Sequence, residues 1–104
     1  MTDLGEVIAS YTLLGQRAGS DYFPITIEVG RPYRGEGPDE WICSLKIDPL
    51  HRPQKIHGEG SLQALCLALS MLRFLLKGFI EDGGTWAPGE DFQLKNFWPD
   101  YSMP

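Results

Sequence analysis

The chain has 104 residues, a mass of 11.7 kDa and a net charge of −5, enough for one hydrophobic core and too short for two. Its 42% apolar and 22% charged content is that of a soluble globular protein and excludes wholesale disorder. Nonspecific nucleic-acid binding needs a basic face, and residues 81–104 instead hold five acids against Lys95 alone.

The opening run Met1-Thr2-Asp3-Leu4-Gly5-Glu6 carries acids and no basic region, so no secretory leader is expected and the reading is cytoplasmic. Three segments then alternate with period two. Val7, Ala9, Tyr11 and Leu13 share one face of the first, Phe23, Ile25, Ile27 and Val29 one face of the second, and Trp41, Cys43, Leu45 and Ile47 one face of the third. Polar residues between them predict half-buried antiparallel strands. Gly- and Pro-bearing connections at 15–21, 30–39 and 49–53 suit hairpins, and a short fourth strand fits Gln54-Lys55-Ile56-His57.

A helix follows from Ser61 to about residue 82, with Ser61 as its expected cap and Gly83-Gly84 as its stop. Gln63, Ser70, Arg73, Lys77 and Glu81 form a narrow polar strip. The Leu62, Leu65, Leu69, Leu72, Leu76, Phe79 and Ile80 side is expected to face the sheet. Leu67, Met71 and Phe74 are surplus to one apolar stripe and mark the expected surface of a homodimer. The longest uncharged run, Gly60 to Leu72, falls short of the ~20 residues a membrane span needs, so no membrane partner is expected. The aromatic segment 83–104, with Trp86, Phe97, Trp98 and Tyr101, offers cover for the helix.

Chemistry is sparse. His51 and His57 are six residues apart with neither Cys near in sequence, which is no metal-ligand pattern. Cys43 and Cys66 read as small packed thiols, too few for a disulfide framework. Gly58-Glu59-Gly60-Ser61 lacks the lysine of a phosphate loop. Arg31 and Arg34 share a loop with Glu36, Asp39 and Glu40, which predicts a solvated mixture of charges. In the tail, Trp86, Phe97, Trp98 and Tyr101 are anchor types and Glu90 and Asp91 would select a basic partner.

Five segments together resemble a family of small bacterial proteins built on a domain of unknown function: Leu4-Gly5-Glu6-Val7-Ile8-Ala9, Ile27-Glu28-Val29-Gly30-Arg31-Pro32, Glu40-Trp41-Ile42-Cys43, Ser61-Leu62-Gln63-Ala64-Leu65 and Trp86-Ala87-Pro88-Gly89-Glu90-Asp91-Phe92. The resemblance implies a compact α+β domain and brings no activity, cofactor or catalytic residue.

The expectation is therefore one α+β domain over 1–104. An antiparallel sheet of three or four strands fills 4–58, one long C-terminal helix lies on one of its faces at 61–82, and an aromatic tail fills 83–104. No catalytic, cofactor or metal residue is assigned. The functional reading is a non-catalytic interaction or accessory (immunity-type) module, using Trp86, Glu90, Asp91, Phe97, Trp98, Tyr101, Arg31 and Arg34, or a homodimer through Leu67, Met71 and Phe74. A small-molecule-binding protein or modest enzyme, with a pocket near Trp41, Tyr33, Arg31 and His57, is the alternative.

Overall fold

The computed structural model describes residues 6–89 and 97–98. Its elements are β1 (Val7–Gln16), β2 (Phe23–Gly30), β3 (Tyr33–Arg34), β4 (Trp41–Asp48), β5 (Gln54–Gly58), α1 (Ser61–Glu81) and β6 (Thr85–Trp86). They form an α+β fold: an antiparallel sheet and one C-terminal helix. The four long strands make a meander, β1-β2-β4-β5, with every neighbouring pair antiparallel. Among the described residues the sheet has six strands rather than three or four. The two additions hold two residues each: β3 extends the β2 side of β4, and β6 pairs the end of β1.

Register sets which face each side chain takes. Leu13 pairs Ile25, Ile27 pairs Ile47, Val29 pairs Leu45 and Cys43 pairs Ile56, so the alternating apolar set of each strand falls on the face beneath α1. Leu13, Ile25, Ile27, Val29, Cys43, Leu45 and Ile47 are all buried there. The opposite face carries Thr12, Thr26, Glu28, Lys46 and Lys55 at paired positions.

The helix meets the sheet along Ala64, Ala68, Leu72, Leu76 and Phe79, a row of i, i+4 and i+3 steps. Its centre is small, not large. Leu62 is 70% exposed and Ile80 38% exposed, so both leave the sheet-facing side expected of them. The alanines bring the helix close over β4 and β5, and Gly58 makes the approach possible. A Cβ at Gly58 would stand 2.6 Å from the Ala64 backbone nitrogen, nearer than real Cβ atoms come.

Both helix ends differ in kind. Gly60, not Ser61, is the N-cap, in extended conformation and without a side-chain hydrogen bond. At the C-terminus Gly83 takes φ +97°, its N–H donates to Ile80 O at 3.0 Å, and the Gly84 N–H donates to Phe79 O at 2.8 Å. This is a Schellman ending, which satisfies carbonyls the helix leaves open. By length and composition α1 could also cross a membrane, a test that the core helix of a small domain passes equally.

Candidate functional site

The register of β4 brings the start of the helix and two loops to one end of the sheet. Trp41 pairs Arg34 on one side and Gly58 on the other, so residues far apart in sequence surround one indole. The Arg34 guanidinium carbon lies 5.5 Å from the Trp41 ring centroid, and its Nη2 donates to Pro38 O at 3.3 Å. Arg31 Nη1 reaches Glu6 Oε1 at 3.4 Å, with both side chains about 70% exposed. A cleft of about 400 Å³ opens between Arg31, Trp41, Leu62 and Leu65. Beside it a second cleft, of about 440 Å³, is lined by Glu6, Tyr33 and Arg34 and shares Arg31, Pro32 and Trp41 with the first. Leu62 stands at the rim with most of its surface in water.

Across the β3–β4 loop the chemistry changes sign. Glu40 Oε2 accepts from His57 Nδ1 at 2.6 Å, and Glu40 Oε1 accepts from the Gly37 N–H at 3.1 Å. The Gly37 amide, and then the His57 imidazole, hold the Glu40 carboxyl below its ordinary pKa, because each favours the charged form. The Glu40 backbone closes the loop on itself, its carbonyl accepting from the Gly35 N–H at 2.8 Å. Asp39, Glu40, His57, Glu59 and Gln63 border an open cleft of about 520 Å³, and the Glu59 N–H donates to the Gln63 side-chain oxygen. Most of the loop charges that the sequence mixes are thus sorted in space: Arg31 and Arg34 beside Trp41, Asp39 and Glu40 beside His57.

Of the other candidates, Trp86 lies on β6 with its ring 5.2 Å from that of Phe79. Phe97 is 46% exposed and meets the Tyr11 ring edge-on at 5.3 Å. Trp98 is half-buried and packs against the core, lining a groove of about 250 Å³ with Tyr11, Val29, Leu69 and Leu72. The aromatic tail therefore supplies part of the cover over the β1–α1 groove. Glu90, Asp91 and Tyr101 lie outside the described residues. On the helix, Phe74 is 70% and Leu67 43% exposed, and Met71 is half-buried.

The structure separates several residues the sequence sets near one another. His51 lies at the far end of β4, in a small cavity of about 110 Å³ with Arg17, Phe79 and Asp82, and so does not meet His57. Cys66 is exposed rather than packed, whereas Cys43 is buried and its Sγ contacts Gly30 O at 3.3 Å. Among the described residues no three of His, Cys, Asp and Glu gather as a metal ion would require. Sequence reasoning missed the Glu40–His57 pair, because only the β4–β5 register joins two residues 17 positions apart.

No curated protein and no solved structure matches the chain. Residues 13–91 match the family described as Domain of unknown function (DUF6968), a stretch that runs from β1 through the helix to the tail. The chain belongs to the DUF6968 family.

Proposed function

We propose that this protein is a non-catalytic recognition module that holds a protein partner at the Trp41 end of its sheet. The observation that carries the reading is Leu62, 70% exposed, in a cleft with the half-buried Trp41 and Arg31, next to a second cleft where Arg34 joins the same two residues. Tryptophan and arginine are residue types enriched among those that dominate binding at protein interfaces, and Leu62 adds exposed apolar surface beside them. A photo-crosslinking residue placed at position 62 should trap one protein in the producing cells. The adduct should vanish with Arg31→Ala plus Arg34→Ala and persist with Asp21→Ala at the opposite end of the sheet. No adduct, or one indifferent to both arginines, overturns the reading.

A homodimer through Leu67, Met71 and Phe74 is the second reading, favoured by the 70% exposure of Phe74 in mid-helix. Sedimentation decides it: a dimer that Phe74→Glu dissociates supports it, and a monomer at every concentration removes it. The small-molecule alternative has its own readout, a metabolite that raises the melting temperature and loses that effect on Arg31→Ala.

A further inference from the structure

We infer that the segment received at Trp41 is an acidic peptide, with an apolar side chain set against Trp41 and Leu62 and carboxylates on Arg31 and Arg34. This rests on the recognition reading above and names the partner's chemistry.

Charge complementarity is the first argument. Two of the three loop acids are turned to other work: Glu40 is held by Gly37 and His57, and Asp39 borders the cleft on that side, while Glu36 is exposed and, among the described residues, forms no ion pair with either arginine. Among the described residues the ion pairs are Arg31–Glu6 and His57–Glu40, so neither arginine is neutralised by its own loop. The Trp41 clefts thus offer positive charge within a chain of net charge −5.

Glu6 provides the second. Its carboxylate lines the cleft of about 440 Å³ and reaches Arg31 at 3.4 Å, with both side chains about 70% exposed. A pair so exposed and so long contributes little to stability, and it exchanges readily. Glu6 shows where a carboxylate sits on this surface and stands in for one supplied by a partner.

Arg34 provides the third. The cation–π contact with Trp41 and the bond to Pro38 O restrain its guanidinium, so less side-chain freedom is lost when a ligand arrives. One donor is engaged by Pro38, and a guanidinium has five, in a fork that matches a carboxylate. A short acidic peptide suits this surface better than a nucleic acid. A polyanion long enough to need more than two cations would run onto Asp39, Glu40 and Glu59 next door.

The test is an array of end-capped synthetic peptides that place Leu, Phe or Trp among Glu residues, each beside its Gln counterpart, read by fluorescence polarisation on the full chain. Members of the array should bind at least about tenfold more tightly than their Gln counterparts. Arg31→Ala and Arg34→Ala should each remove most of that preference, while circular dichroism and melting temperature stay at wild type. Glu6→Gln should tighten binding by about two- to fivefold, the scale of one exposed ion pair. Equal binding of Glu and Gln peptides, a preference that survives both arginine variants, or a single-stranded oligonucleotide bound in place of the peptides would each overturn the inference. If a partner crosslinks at position 62 while acidic peptides fail, the partner's acidic character falls and the recognition reading stands.

Discussion

His57 and Glu40 are joined by a hydrogen bond of 2.6 Å from imidazole Nδ1 to carboxylate Oε2, and the other carboxylate oxygen is tied to the Gly37 amide. One side chain thereby fastens the β3–β4 loop to β5. The pair sits at the rim of the cleft that also holds Asp39 and Glu59, and Lys55 is the nearest cation on the same strand.

This arrangement predicts how stability depends on pH. The Glu40 pKa is lowered in the fold from its ordinary value of 4.5, so on acidification the unfolded chain takes up this proton before the folded one does. The Glu40 contribution is therefore whole above about 4.5 and is lost as pH falls through the lowered value. Melting temperatures of wild type and Glu40→Gln should differ near neutral pH and converge well below 4.5. A gap that stays constant across the range would show that the ionised carboxylate is not what fastens the loop.

The fit of Gly58 beneath the helix predicts a steric penalty. A methyl group there would meet the Ala64 nitrogen at 2.6 Å and its Cα at 2.9 Å, and the obstacle is backbone, which cannot rotate aside. Gly58→Ala should cost about 1–3 kcal/mol in urea denaturation, the range for overpacking. Gly60→Ala, with nothing within 4 Å of the new Cβ, should lose much less.

Burial along α1 predicts a contrast between residues of similar hydropathy. Leu72→Ala, at a 6% exposed position in the core row, should destabilise by about 2–5 kcal/mol. Leu62→Ala and Phe74→Ala, both at 70% exposed positions, should stay within about 0.5 kcal/mol of wild type. Denaturant midpoints measured on the three variants side by side would test the placement of the helix face directly.

The two cysteines should differ in reactivity. Cys66 is exposed, while Cys43 is buried and its thiol pKa is pushed up by loss of solvation, which disfavours the reactive thiolate. Native protein should titrate one thiol per chain with a disulfide reagent, and Cys66→Ser should leave none until denaturant is added. Rapid labelling of Cys43 in the folded chain would contradict the packing of β4 under the helix.

Much of this architecture was legible in the residues. The alternation of Ile25, Ile27 and Val29 and of Cys43, Leu45 and Ile47 places each strand and its buried face, because a period of two leaves one solution. β3 and β6 were not legible, since two residues carry no period. The helix face was read toward its leucines, yet the contact row centres on Ala64 and Ala68. Hydropathy weights a large side chain above a small one, whereas close packing over Gly58 rewards the small one. Arg31 and Arg34 were legible as candidates, but their separation from Asp39 and Glu40 depends on which loop residue turns toward which strand.

The pairing of β4 with β5 has one further consequence. Cys43 opposite Ile56 and Ile42 opposite His57 belong to a single register, so a slip of one residue would carry Ile56 into water and drive His57 under the helix. Core burial opposes that slip, and the spacing of Glu40 and His57 on the outer face from Trp41 at the core's edge is inherited from it. Sequence drift at the exposed loops can therefore change what the surface prefers without loosening where its parts stand, so long as the oil inside keeps the strands in step.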